Sequence, residues 1–221
     1  MELLLNPFTL IAISLAVLIF SAILHEIAHG YVAERLGDPT ARIMGRLTLN
    51  PIPHIDPFLS ILMPLLLILS GSPVIFGGAK PVPVDPFNLR EGRKDIALVS
   101  LAGPMTNLAL AIVAGVLLHA LYQGFVISSP STLSELFNFI LSSILRLNLL
   151  LAIFNLLPIP PLDGSKIFAL LLPEKEANSY LALGSIGTIL LLVLLLFPIG
   201  GFSLMNFIQS IYLFALTLLG F

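Results

Sequence analysis

The sequence predicts an all-α polytopic membrane protein with about five transmembrane helices and a re-entrant β-hairpin or loop after the first. Of its 221 residues, 57% are hydrophobic and only 10% are charged, and the mean hydropathy is +1.06. Soluble domains carry about 25% charged residues, so this composition indicates a protein that resides in a lipid bilayer. The basic residues cluster in a few loops, as the positive-inside rule requires of a multi-pass protein.

Five apolar segments reach the length of about 20 residues that a helix needs to cross a bilayer. They are Pro7–Ala33, Ile96–Tyr122, Leu136–Leu157, Tyr180–Phe197 and Phe202–Leu219. A sixth apolar stretch, Pro57–Ile75, is interrupted by proline and glycine, which is typical of backbone that lines a protein cavity at membrane depth. The first segment lacks the basic start and the cleavage site of a signal peptide, so we expect it to remain as a helix.

The positions of the ten Lys and Arg residues decide the predicted topology. Seven lie between the first and second segments, and Lys166 and Lys175 follow the third. If Pro57–Ile75 dips into the membrane and returns, all nine lie on one side. The positive-inside rule therefore favours a re-entrant Pro57–Ile75, an outer amino terminus and basic loops in the cytoplasm. We expect a multi-pass protein of a prokaryotic cell membrane.

An H-E-x-x-H motif formed by His25, Glu26 and His29 lies at the end of the first apolar run. Residues four apart lie on one face of a helix, so the two imidazoles can bind one metal ion. Glu26 is then placed to take a proton from a water molecule that the metal activates. A chance match on a solvated helix face is the alternative. It fits poorly, because Phe8–Leu24 carries no charge and ionisable groups at membrane depth indicate function.

Two histidines leave a catalytic zinc ion short of one protein ligand, and the chain has no cysteine to supply it. The remaining candidates are His54, Asp56, Asp85, His119 and Asp163. Asp163 follows the third apolar segment at the required depth, after prolines that end the helix. A solvated aspartate in a turn before Gly164 is the alternative, and spacing alone leaves both open.

Three motifs occur in successive apolar segments: HEIAHG from residue 25, AGPMTN over 102–107 and FNLLPIPPLDG over 154–164. Together, over about residues 21–167, they resemble the site-2 protease family of intramembrane zinc metalloproteases. The resemblance implies one Zn²⁺ per chain bound by His25, His29 and Asp163, with Glu26 as the general base. It implies that Asn155 holds the substrate or stabilises the oxyanion. It also implies a membrane-embedded β-hairpin between the first two helices.

The chain departs from many members of that family in its accessory domains. No PDZ domain fits into the connection at about 123–135, and no CBS domain follows the last apolar segment. We therefore expect a minimal member with a single membrane-embedded metalloprotease domain over residues 1–221. Its catalytic core would occupy about 7–170 and its C-terminal helices about 178–220.

The predicted function is intramembrane zinc endopeptidase activity on peptide bonds within or near transmembrane segments of membrane proteins. The expected partners are a transmembrane protein substrate and the lipid bilayer. No basic tract suggests nucleic acid, and the oligomeric state is open. An edge strand from Arg42–Leu49 or Lys80–Asp85 is expected to pair with the unwound substrate. The alternative is a membrane metal-ion transporter with H-E-x-x-H as a transit site, although the two halves show no inverted repeat of hydropathy.

Four further polar residues lie outside this predicted set of metal ligands and catalytic residues. His54 is a candidate for a fourth ligand, for a partner of a ligand or for a substrate contact. The competing interpretation is an interfacial histidine bonded to its own loop. Asn107 and Asn148 lie inside predicted spans, where hydrogen bonds between helices explain them. Arg146 also lies mid-span, where a guanidinium is costly, and either pairs with Glu135 or snorkels outward.

Overall fold

The computed structural model describes residues 6–57, 62, 66, 79–122 and 132–221. Within these ranges the chain forms eight α-helices and no β-strand apart from an isolated bridge between Ile199 and Phe202. The helices are α1 (Pro7–Leu36), α2 (Thr40–Ile43), α3 (Arg93–Tyr122), α4 (Thr132–Asn155), α5 (Asp163–Ala169), α6 (Glu174–Leu181), α7 (Gly184–Leu196) and α8 (Leu204–Leu218). The predicted all-α class is confirmed for this part of the chain.

Helix α1 has well-defined signals at both ends. The Asn6 side chain accepts a hydrogen bond from the Thr9 backbone N–H at 2.8 Å, and Pro7 occupies the first turn. The helix ends at Gly37, whose φ of 118° is accessible to glycine and whose N–H reaches back to the last turn. At 1.5 Å per residue, His25 lies about 27 Å along the helix from Pro7.

Three helices, α1, α3 and α4, are long and apolar enough to cross a membrane. They match the first three predicted spans. The predicted fourth span, Tyr180–Phe197, is broken: α6 and α7 meet at an angle of 69° and together make at most one bent span. Helix α8 is apolar but shorter than the length that a straight crossing needs.

The direction of α8 differs from the prediction. Its start packs against the end of α4, since Leu204 and Ile208 share a buried cluster with Leu157. Its other end reaches the far end of α3, where the Phe221 ring lies 4.9 Å from the His119 ring. Helix α8 therefore runs parallel to α3, whereas five alternating spans would place it antiparallel to α3. The chain bends by 69° before α7, and Leu191 of α7 shares the buried cluster with Leu204 and Ile208 at the start of α8.

The segment between α1 and α3 also departs from the prediction. The strand expected at Arg42–Leu49 is wrong, because Arg42 lies in α2 and the chain then turns at Gly45 with a φ of 66°. Lys80–Asp85 has no regular secondary structure, so the strand expected there is not observed. Most of the predicted re-entrant segment Pro57–Ile75 lies outside the described residues.

The tightest packing joins α3 and α4. Small residues on α3 let the two helices approach closely, as in many membrane proteins. The buried cluster at their contact is Ala111, Ala114, Leu118, Leu145 and Leu149, and α8 covers it with Tyr212, Ala215, Leu216 and Leu219. Fully buried Asn107 and Asn148 lie in the same interface, between this apolar cluster and the H-E-x-x-H turn of α1.

Candidate metal centre

Three potential metal ligands converge where α1, α3 and α5 meet. The Nε2 atoms of His25 and His29 lie 3.0 Å apart, and each is 3.2 Å from Oδ2 of Asp163. All three residues are buried, with 8% of each exposed. Zinc binds such atoms at about 2.0–2.2 Å, which in tetrahedral geometry places them about 3.3–3.6 Å apart. The observed triangle is close to the size that a zinc ion requires.

The hydrogen-bond partners of the two histidines define which ring nitrogen carries the proton. Nδ1 of His25 lies 2.6 Å from Oδ1 of Asn107, and Nδ1 of His29 lies 2.6 Å from the backbone oxygen of Val99. Carbonyl oxygens only accept, so both Nδ1 atoms donate and both Nε2 atoms of the neutral rings present lone pairs. These lone pairs and the Asp163 carboxylate face one another without a donor, an arrangement that a bound cation stabilises.

Asp163 is brought to the site by the irregular connection after α4. The peptide bond between Pro160 and Pro161 is cis, and α5 begins at Asp163 itself. Gly164 packs directly on the backbone of Leu156 and Leu157 and leaves no room for a Cβ atom. The prolines and Gly164 together therefore fold the carboxylate back toward α1.

The charge state of Asp163 suits a metal ligand. Burial raises the pKa of Asp163, but hydrogen bonds from His25 and His29, which need an Nε2 proton that a bound cation would replace, and the charge of Lys166 outweigh that effect. The pKa of this carboxyl is therefore held below its ordinary value of 3.8. Lys166 Nζ lies 3.4 Å from Oδ1, which leaves Oδ2 as the oxygen that faces the histidines.

Gly103 on α3 forms the wall of the site behind the two imidazoles. A Cβ atom at this position would lie 2.5 Å from Nε2 of His29 and 2.6 Å from Nε2 of His25. Such contacts are too short for any side chain, so only glycine lets α3 approach the histidine pair. This explains the glycine of the A-G-P motif in physical terms.

Glu26 faces the same cavity but is held by different groups. Its Oε2 accepts the backbone N–H of Val82 at 2.7 Å. The guanidinium of Arg46 donates to the carbonyl oxygens of Lys80 and Pro81 at 2.7 and 3.1 Å, and the Lys80 N–H donates to the His54 oxygen at 2.8 Å. Segment 79–85 is thus fixed beside the carboxylate of Glu26, although it has no regular secondary structure.

A cavity of about 450 Å³ connects these groups. Its polar lining comprises His25, Glu26, His29, Ser100, Asn155, Asp163 and Lys166, and its apolar lining includes Val82, Val84, Ile96, Val99 and Leu162. Asn155 uses one amide N–H to bond the Leu151 oxygen at 3.0 Å, which leaves the other N–H for a bound molecule. The cavity therefore holds the three candidate metal ligands, a further carboxylate and an amide N–H donor side by side.

The structure thus brings together all five residues that the sequence singled out: His25, Glu26, His29, Asn155 and Asp163. Other candidate ligands lie elsewhere. His54 bonds the Thr48 oxygen through Nε2 at 2.9 Å, as the interfacial interpretation expects, and Asp85 accepts the Phe87 N–H at 3.0 Å. His119 packs on Phe221.

Sequence reasoning missed four groups at the site: Gly103, Asn107, Val82 and Lys166. It assigned Asn107 to helix packing alone. The signal for Gly103 and Asn107 was the AGPMTN motif, which contains both residues four positions apart on α3. No sequence signal points to the contact of Val82 with Glu26, because Val82 makes it through its backbone N–H.

Comparison with known proteins agrees with this geometry. The sequence profile of Peptidase family M50 matches residues 13–197. The chain is 40% identical over 201 residues to "Putative zinc metalloprotease YwhC" of Bacillus subtilis, covering 90% of this chain and 86% of that protein. It is 33% identical over 183 residues to "Putative zinc metalloprotease Rip2" of Mycolicibacterium smegmatis, covering 81% of this chain and 65% of that protein. No solved structure gives a significant match.

The profile covers most of the chain, including every residue of the three-ligand cluster. The relatives are named as zinc metalloproteases, and the cluster has the donor types and spacing that zinc requires. The apolar helices α1, α3 and α4 place this cluster in a membrane protein. The chain therefore belongs to Peptidase family M50, the site-2 protease family, and is a membrane zinc metalloprotease.

Proposed function

We propose that the protein is an intramembrane endopeptidase that cleaves transmembrane segments of other membrane proteins, with His25, His29 and Asp163 as ligands of one zinc ion. The observation that carries this proposal is the convergence of three acceptor atoms within 3.2 Å of one another, beside Glu26 in a single cavity. The cavity lies on helices that are apolar enough to cross a membrane.

Zinc, when bound, makes a water molecule more acidic and polarises the carbonyl group that is attacked. Glu26 is the general base: it takes the proton from the attacking water and then delivers it to the leaving amine. The free N–H of Asn155 donates to the oxyanion of the tetrahedral intermediate. Lys166 neutralises part of the charge of Asp163 and keeps that carboxylate oriented.

The shape of the cavity favours an extended substrate. A transmembrane helix hides its carbonyl groups in its own hydrogen bonds, so the scissile region must unwind before a carbonyl can reach the ligands. Val82, Val84 and Ile96 line one side of the cavity with branched apolar side chains. We therefore infer a preference for small and medium apolar residues next to the cleaved bond, presented in extended form along segment 79–85.

The proposed location is the cytoplasmic half of the membrane. His25 and His29 come late in α1, and seven of the ten basic residues lie within residues 35–94, from the end of α1 to the start of α3. The proposed organisation is one membrane-embedded domain, with a catalytic core at about 7–170 that contains every lining residue of the cavity. Helices after about 178 complete the bundle.

The proposal is tested with purified protein in proteoliposomes. Native protein should cleave a model transmembrane substrate, and a chelator should stop cleavage until zinc is restored. An unfolded soluble protein should be a much poorer substrate. Equal cleavage of both would contradict the intramembrane assignment.

The alternative, a metal-ion transporter, is not favoured by the family or by the names of the relatives. The same proteoliposomes decide between them with a zinc-sensitive dye in the lumen. We expect no protein-dependent zinc flux. Flux without cleavage would establish the transporter instead.

A further inference from the structure

A chain of buried polar side chains runs from the ligand His25 across the helix bundle. Oδ1 of Asn107 on α3 accepts from Nδ1 of His25 at 2.6 Å, and Nδ2 of Asn107 donates to Oδ1 of Asn148 on α4 at 3.0 Å. Nδ2 of Asn148 donates to Ser21 Oγ at 2.9 Å and to the Ile144 backbone oxygen at 2.9 Å. Asn107 and Asn148 are both 0% exposed and Ser21 is 4% exposed.

The backbone oxygen of Ile144 gives this chain a direction. A carbonyl oxygen only accepts, so the NH₂ group of Asn148 must face Ile144 and its Oδ1 must face Asn107. The NH₂ group of Asn107 is then directed to Asn148, and its Oδ1 to His25. If both amides were flipped, the bond between them would survive. Two acceptors would then meet at Ile144, and an NH₂ group would point at His25.

We propose that Asn107 and Asn148 act as positioning residues that fix the tautomer of His25. With Asn107 Oδ1 in place, His25 carries its proton on Nδ1 and presents the Nε2 lone pair to the cation. Asn148 acts one step further away, by holding Asn107 in the required orientation. The inference rests on the proposed function in one respect, that His25 is a zinc ligand. It assigns a function to two residues whose burial would otherwise indicate helix packing alone.

A packing role and a positioning role make different demands on residue 107. Packing between α3 and α4 needs a polar pair of the right size. Positioning needs an acceptor facing His25 and a donor facing Asn148. Aspartate at 107 has nearly the size of asparagine and keeps an oxygen acceptor facing His25, as in carboxylate–histidine–metal arrangements. Leucine has a similar size and supplies neither.

The experiment is a Co²⁺ titration of the metal-free protein in detergent, followed by visible absorption, with thermal unfolding of the metal-free form measured in parallel. Partners of ligating histidines typically contribute a factor of 10–100 to metal affinity. We expect Asn107→Leu to lower Co²⁺ affinity about 30-fold and Asn148→Leu about tenfold. Asn107→Asp should stay within about threefold of native. Asn138→Leu is the matched control, because Asn138 also lies on α4 but donates to the Tyr122 hydroxyl and not to Asn107 or Ser21.

The positioning role is supported if the leucine variants at 107 and 148 lose affinity and shift the cobalt absorption bands while Asn107→Asp and Asn138→Leu do not. Equal losses in Asn107→Leu and Asn107→Asp, or native affinity in both leucine variants, would overturn it. If Asn148→Leu shows no cooperative unfolding, the pair of variants at Asn107 decides. His25→Ala separates the two proposals: native cobalt affinity in that variant would mean that the ligand assignment itself is wrong.

Discussion

The two sides of the proposed catalytic cavity, the side of the proposed metal ligands and the side of the proposed base, are built in different ways. On the ligand side, His25, His29 and Asp163 are buried, and each has a partner on a helix: Asn107 for His25, the Val99 oxygen for His29 and Lys166 for Asp163. On the base side, Glu26 is half-buried and accepts one N–H, from Val82 in a segment without regular secondary structure.

This difference separates binding of the metal from handling of the substrate. Helices hold the ligands at distances that leave little freedom, because moving one ring would disturb α1 and α3 together. The Val82 N–H, by contrast, belongs to a segment without regular secondary structure, which Arg46 holds through two backbone carbonyl oxygens. Substitutions on the ligand side should therefore mainly lower metal affinity. Substitutions on the base side should mainly lower turnover.

The largest effect is expected on the ligand side, from Asp163→Ala. Removing the carboxylate leaves two histidines, so zinc should bind much more weakly and cleavage should fall below detection. Zinc content after dialysis and cleavage of a transmembrane substrate measure the two effects. Asp85→Ala is the matched control, because that carboxylate caps Phe87 instead. Full zinc retention in Asp163→Ala would remove this residue from the site.

On the base side, Glu26→Gln should separate turnover from metal binding. Glutamine can still accept the Val82 N–H but cannot take a proton, so kcat should fall by a factor of about 10²–10⁴. Zinc content should stay at one ion per chain. A near-native cleavage rate would show that Glu26 is not the base.

Gly103→Ala tests how tightly helix packing defines the ligand side. The added methyl group would press on both imidazoles, so zinc affinity should fall by more than about tenfold, as it does when ligand orientation is lost. Gly115→Ala on the same helix is the control. Its Cβ atom would lie 3.4 Å from Phe221, an ordinary contact. Equal zinc affinity in the two variants would contradict the close approach at Gly103.

The smallest effect is expected from Arg46→Lys on the base side. Lysine cannot hold the carbonyl oxygens of Lys80 and Pro81 together, so segment 79–85 should loosen and turnover should fall by about tenfold or less. Zinc affinity should not change. Arg42→Lys, which alters only an exposed pair with Glu34, should leave both quantities unchanged. A loss of zinc in Arg46→Lys would show that the two sides are not independent.

The sequence was sufficient to predict the parts of the site that depend on local spacing. The i, i+4 histidines of α1 and the proline-rich turn before Asp163 lie together in the structure as their motifs predicted. The first three apolar segments likewise form helices near the predicted bounds. In these cases one helix or one turn contains the whole signal.

Features that depend on how helices pack against each other were not predictable in this way. Hydropathy does not distinguish a straight span from the bent pair α6 and α7, and it contains no information on the direction of α8. The expected strand near Arg42 failed because Asp38 accepts from the Thr40 N–H at 3.1 Å and starts α2 instead. The contact between Asn107 and His25 joins residues 82 positions apart and requires the relative rotation of two helices.

Zinc K-edge X-ray absorption of the purified protein tests the central claim most directly. A site formed by His25, His29 and Asp163 predicts one zinc per chain with two imidazole ligands, oxygen ligands at about 2.0–2.2 Å and no sulfur. The Asp163→Ala variant, loaded with excess zinc, should keep the two imidazoles and lose one protein oxygen. A spectrum with three imidazoles, or with a single one, would contradict the ligand set proposed for this structure.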